Sequence, residues 1–288
     1  MLSDFAIDEI VEPITFKIQT HHGALLAFTS ETRQKVIDIL ARQVTHDNND
    51  SVRLVALYFL AKTLKSVAAI HILASNGYGE DAGILARSLF EIWLNFEYII
   101  MNESQDRASR FIQNSAITRE RDLRGLDSGQ HPIARQIDTL VREDIARGAE
   151  QARLLHDFAK GEPTWSGQSV REMAEEVDKQ KQDSNKSALN DYLVEYRFLS
   201  DHAHANAPAS KSYVFESDKG LLVSYLPSAY MVPEALLTAT DRLIRIADLA
   251  IRVLKLEGLE ELRGLGQKLD NISKDLGLQE HAVPNPVS

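Results

Sequence analysis

Apolar residues recur at helical spacing along most of the chain, most densely between residues 52 and 101. Thr29-Ser30-Glu31 is a helix-start signal, and Val36, Ile37, Leu40 and Val44 follow at helical intervals. Asn48-Asn49-Asp50-Ser51 reads as a turn and N-cap cluster, opening a helix predicted over residues 52–74. Asn76-Gly77-Tyr78-Gly79 ends that helix, and another is predicted over residues 80–101. So short a link makes the two antiparallel neighbours.

Further on the pattern weakens and charge rises. Residues 105–123 form a helix carrying Arg107, Arg110, Arg119 and Arg121, with Arg124 just beyond. Ser128-Gly129-Gln130-His131-Pro132 breaks the chain. Residues 133–159 are predicted as a long charged helix, part of a hairpin protruding from the core. Residues 161–165, with Trp165, make a loop, residues 169–177 a short helix and residues 188–202 another. Tyr213-Val214-Phe215 and Leu221-Leu222-Val223 flank a turn signal and form a single β-hairpin. Pro233 opens a strong helix to Val253, a weaker helix covers residues 259–276, and the tail from His281 is expected to be disordered.

The pattern therefore predicts an all-α fold: a multi-helix bundle with a long charged helical hairpin and one small β-hairpin. Its expected divisions are an N-terminal helical segment (1–50), a helical core domain (51–257) and a C-terminal helix with a tail (258–288).

Composition narrows the chemistry. With 44% hydrophobic residues among 288, the chain can bury a sizeable core. It has no cysteine, which excludes disulfides, thiolate metal sites and cysteine nucleophiles. The start, Met1-Leu2-Ser3-Asp4, lacks the basic and apolar regions of a signal peptide. Residues 52–74 and 82–100 are apolar enough to suggest membrane spans. Arg53, Lys62, Lys65 and His71 in the first, and Arg87, Glu91, Asn95 and Glu97 in the second, point instead to buried helices of a soluble, cytoplasmic protein with no membrane partner. Forty-two acids against 32 bases give a net charge of −10, which disfavours broad nucleic-acid binding and leaves room for a local basic site.

On a wheel at 100° per residue, apolar side chains surround the helix predicted over residues 80–101. Arg87 and Glu91 interrupt them, four apart on one face, and can pair. Desolvating an ion pair costs several kcal/mol per charge, so its presence needs a reason. Either the pair satisfies a polar neighbour and fixes helix register, or Arg87 faces a polar cavity. There it would bind an anion while Glu91 holds it in place.

The second unusual stretch is Tyr196-Arg197-Phe198-Leu199-Ser200-Asp201-His202-Ala203-His204. On a continuous helix Arg197, Ser200, Asp201 and His204 share a face, and His202 lies elsewhere. An arginine, a serine and a histidine on one stripe suit a phosphodiester. The histidine would move protons and the arginine would stabilise developing charge. The alternative is a capping and packing cluster at a helix end. A Ser/His/Asp hydrolase reading lacks a Gly-x-Ser-x-Gly elbow and enough strands for an α/β-hydrolase. Alternate residues on a helix point apart, so a metal site at His202 and His204 would need a loop conformation there and a second cluster, such as His71 or Glu91; no glycine-rich cofactor motif occurs. No metal and no cofactor are expected.

The ordered segments Arg87-Ser88-Leu89-Phe90-Glu91, Trp165-Ser166-Gly167, and Tyr192 with Tyr196, Leu199-Ser200 and His204 resemble an uncharacterised bacterial helical family catalogued as a domain of unknown function, over roughly residues 52–253. That resemblance implies an all-helical fold and no particular activity. The arginine, four to six residues and a histidine also resemble the signature of the HEPN superfamily of helical toxin and phage-defence domains. Four residues separate Arg197 from His202 and six separate it from His204; Phe198 stands where that superfamily usually has a polar residue. The resemblance implies metal-independent RNA cleavage at a homodimer interface by Arg197 with His204 or His202, and RNA or a nucleotide as ligand. Arg87, Glu91, Ser200 and Asp201 are the candidate ligand-binding residues. The two stretches are expected to meet at one polar site.

Overall fold

A computed structural model describes residues 7–41, 50–158, 164–180, 187–217 and 220–276. The expected disordered tail, Asn48 and Asn49, residues 161–163, and Asp218 with Lys219 lie outside the described residues.

The fold is all-α. The chain runs through α1 (Ile7–Ala41), α2 (Ser51–Ser75), α3 (Gly79–Met101), α4 (Ser104–Ser128) and a 3-10 turn, Pro132–Gln136. It continues through α5 (Thr139–Leu155), α6 (Val170–Gln180) and α7 (Ala188–Asp191), then a π turn, Tyr192–Tyr196, and α8 (Arg197–Ala203). A second 3-10 turn, Ala207–Ser212, leads to β1 (Val214–Ser217) and β2 (Gly220–Val223), and α9 (Val232–Leu254) and α10 (Leu259–Asp275) close the chain. The strands pair antiparallel with Val214 opposite Val223.

The core forms where α2, α3 and α9 pack mutually, with α1 and α10 also lying on α9. α3 is its most enclosed member: Ala86, Leu89, Phe90, Leu94, Phe96 and Ile99 are fully buried. α2 is long and apolar enough, by length and composition, to cross a membrane. Here Val55, Phe59, Val67 and Ile70 face the core, while Leu54, Tyr58 and Ile72 are exposed. Asp50 caps α2, its carboxylate accepting from the Val52 and Arg53 amides.

Two boundaries differ from the pattern. α1 begins well before Thr29, and the Thr29 hydroxyl caps nothing: it donates back to the Leu25 carbonyl (2.9 Å) and lies 2.9 Å from the Thr240 hydroxyl of α9. Burial of Ile18, Leu25, Leu26 and Phe28 against the bundle overrides the local start signal. The charged segment after Pro132 is also shorter than residues 133–159, because Asp138 supplies an N-cap and the helix starts at Thr139. α4 and α5 do form the expected charged helical hairpin.

Candidate functional site

The polar positions of α3 lie four apart, at Arg87, Glu91 and Asn95, so they form a stripe along one face. Arg87 and Glu91 dock Tyr196 and the helix after it, and Asn95 docks the tryptophan loop. Arg87 donates from Nε to the Ser200 hydroxyl (2.7 Å) and from Nη2 to the Tyr196 phenol (2.6 Å), and Nη2 lies 3.1 Å from Glu91 Oε1. Tyr196 donates in turn to Glu91 (2.8 Å), and Ser200 donates to the Tyr196 carbonyl (2.6 Å). The Arg87 guanidinium, the Glu91 carboxylate and the Tyr196 and Ser200 hydroxyls of this junction between α3 and α8 thus each have a partner. Burial, reinforced by the neighbouring Glu91 carboxylate, pushes the Tyr196 phenol up to about 12. One turn along, Asn95 donates to the Glu91 carbonyl and accepts from the Trp165 indole N–H (2.6 Å). Trp165 packs edge-on against Tyr98 and Phe111.

The expected meeting of the two stretches therefore occurs, but through Tyr196 and Ser200. Arg197 and His204 do not join it; both are exposed. α8 starts after a π turn and ends at Ala203, so His204 is its cap rather than a fourth member of the stripe. Tyr196 and Ser200, 40° apart on the wheel, take the face toward α3, and Arg197, 100° round from Tyr196, turns to solvent.

Sequence reasoning missed a second polar cluster. Arg242 of α9 is buried, with 1% exposure, and donates from Nη2 to Glu195 in the π turn (2.7 Å) and to Asp191 at the end of α7 (3.0 Å). Arg245 also donates to Asp191 (2.9 Å). Burial opposes the charge of Arg242, but the carboxylates of Glu195, Asp241 and Asp191 outweigh it and hold the guanidinium above its ordinary value. The signal was available: Arg242 sits between Ala239 and Leu243 on the apolar side of an amphipathic helix.

Beyond the junction, α8, the second 3-10 turn and the segment before α9 enclose an open cleft of about 480 Å³. Phe198, Asp201, His202, Lys211, Ser212 and Tyr230 are among the residues lining it, with Ser224 and Ser228 on the far wall. His202 is buried, its Nδ1 3.2 Å from the Phe198 carbonyl and its Nε2 3.2 Å from the Ser212 hydroxyl. Asp201 accepts from the Asn206 amide (3.0 Å). Burial raises the carboxyl of Glu80, in the first turn of α3, above the usual range. The far wall is held by Gly79: a Cβ there would lie 2.0 Å from the Tyr230 carbonyl, so only glycine lets this segment press on the start of α3. Among the described residues no group of three or more His, Cys, Asp or Glu could hold a metal ion.

An all-helical bundle whose central helix is latched to a tryptophan loop and to a tyrosine–serine helix defines the class of protein. Residues 53–221 match the model of a family described as a family of unknown function, DUF5677, and the chain belongs to that family. The match contains all three latched segments but stops before α9, short of the residues 52–253 suggested by the motifs. No curated protein and no solved structure matches the chain.

Proposed function

We propose that this chain is a ligand-binding scaffold whose cleft is non-catalytic, and that its ligand is a nucleotide unit, free or within single-stranded RNA. The lining of the cleft carries this reading. Its size falls within the roughly 300–1,000 Å³ of small-molecule sites. Two half-exposed rings, Phe198 and Tyr230, offer faces on which a base stacks. Lys211 suits a phosphate, and Asp201, Ser212, Ser224 and Ser228 suit sugar hydroxyls or base edges. The net charge of −10 favours one nucleotide over a long tract. In this reading Arg87, Glu91 and Ser200 belong to a structural polar core: Nε and Nη2 of Arg87 are both engaged within the chain, which argues against anion capture. Calorimetry with AMP and with a short oligouridylate tests it. Tyr230→Ala and Lys211→Ala should each weaken binding about tenfold, given about 1–3 kcal/mol per stacked base. Absence of binding of either probe at millimolar concentration would overturn it.

A second reading is a HEPN-like, metal-independent ribonuclease of a cytoplasmic toxin or phage-defence system, acting as a homodimer. It is favoured by the exposure of Arg197 on α8 and His204 at its cap, with His202 on the cleft wall. RNA cleavage in excess EDTA, lost in Arg197→Ala and His204→Ala at an unchanged melting temperature, would establish it. No cleavage by the wild-type protein would leave the scaffold.

A further inference from the structure

Away from the cleft, α4 and the end of α5 place three side chains in a relay. Asp106 and Ser109 are three apart on α4 and so share a face, about 5–6 Å between Cβ atoms. The imidazole of His156, which caps α5, sits between them. Its Nε2 lies 2.9 Å from the Ser109 hydroxyl and its Nδ1 3.4 Å from Asp106 Oδ1. With its proton on Nδ1, toward the exposed Asp106 carboxylate, the imidazole turns its Nε2 lone pair to the serine O–H. This is the connectivity of a nucleophile, its base and an orienting carboxylate, which is recognised by geometry and not by residue order.

The ring is held in place. The His156 side chain is only 6% exposed, it meets Phe158 edge-on, and its backbone N–H donates to Ala152. Arg110, next to Ser109, donates to the Asp157 and Trp165 carbonyls and stacks over Phe158, tying this segment to α4. Leu154 and Leu155, just before His156, are exposed and offer an apolar surface.

We propose that Ser109, His156 and Asp106 form a base-activated serine centre that cleaves small carboxylic esters with an apolar acyl group. Ser109 Oγ bonds to the ester carbonyl carbon as its proton passes to His156 Nε2. The carbon–oxygen bond to the alcohol breaks, and the alcohol leaves with that proton. Water then attacks the acyl-serine, gives a proton to Nε2, and releases the carboxylic acid as Ser109 recovers its hydrogen. Asp106 is the positioning residue, acting through His156. None of these residues lines the cleft, so this proposal stands or falls independently of nucleotide binding.

The test uses the full chain with diisopropyl fluorophosphate, followed by peptide mass mapping, and with p-nitrophenyl butyrate. The expected result is an adduct on Ser109, and ester hydrolysis that falls at least about 100-fold in Ser109→Ala and in His156→Gln. Asp106→Asn should slow hydrolysis about tenfold or more and displace the inflection of its pH profile. An unlabelled Ser109 in folded wild-type protein, or hydrolysis unchanged in Ser109→Ala, overturns the proposal. The wild-type labelling decides the matter even where His156→Gln fails to fold.

Discussion

At the scale of single residues, Tyr196 joins two helices because its phenol both accepts and donates. It takes a hydrogen bond from Arg87 and gives one to Glu91. Tyr196→Phe keeps the ring against Phe90 but leaves the guanidinium and carboxylate short of a partner. Hydrogen bonds to charged groups contribute about 1.5–3 kcal/mol, and a urea unfolding curve should show a loss of that size. The phenol also sets a response to alkali. Its folded value, about 12, exceeds the ordinary 10, so stability is intact below pH 10 and falls as pH rises from 10 toward 12, where only the unfolded chain ionises this group. A 295 nm titration should show a tyrosine ionising toward pH 12 that is absent in Tyr196→Phe, beside Tyr98 and Tyr213, which burial also raises. A neighbouring latch admits a double-mutant cycle. Asn95→Ala and Trp165→Phe remove the two ends of one bond, so their effects on stability should fall short of additive by about 0.5 kcal/mol or more.

At the scale of elements, the π turn matters most. It carries Glu195 toward α9 and Tyr196 toward α3, with Asp191 at the end of α7 just before it also reaching α9, so one short segment is bound to two core helices. Arg242 holds the first of these contacts from inside the core. Arg242→Met leaves the Glu195 carboxylate without its strongest partner, and breaking such a buried pair costs about 3–5 kcal/mol. Thermal and urea melts should both register that loss, and it should exceed the effect of Arg252→Met, whose pair with Asp248 is more exposed. The periodicity that predicted a continuous helix over residues 188–202 recovered its extent but not its phase, because a π turn inserts no distinctive residue type.

At the scale of the whole molecule, the start of α3 is where the core and the cleft meet. Gly79 lets the segment carrying Tyr230 and Met231 lie directly on the first turn of α3, and Gly77, at φ +85°, turns the chain into it. Gly79→Ala should lower stability by about 1–3 kcal/mol and weaken AMP binding, since the Tyr230 wall must move outward. Differential scanning fluorimetry and calorimetry on that one variant would read both effects.

The sequence by itself determined the helical class, the extents of α2, α3 and α9, the β-hairpin and the Arg87–Glu91 pair. All of these rest on local spacing: 3.6 residues per turn, a cap, a glycine turn, an i,i+4 contact. It also pointed to Ser200 as a partner for α3. Only the tertiary structure decided that Tyr196 is the hub, that Arg197 and His204 face solvent, that Thr29 bonds α9 instead of starting a helix, and that Ser109 and Asp106 clasp a histidine 47 residues beyond that serine. Those outcomes depend on which faces meet across the bundle and on the phase shift of a π turn. Neither leaves a periodic trace along the chain.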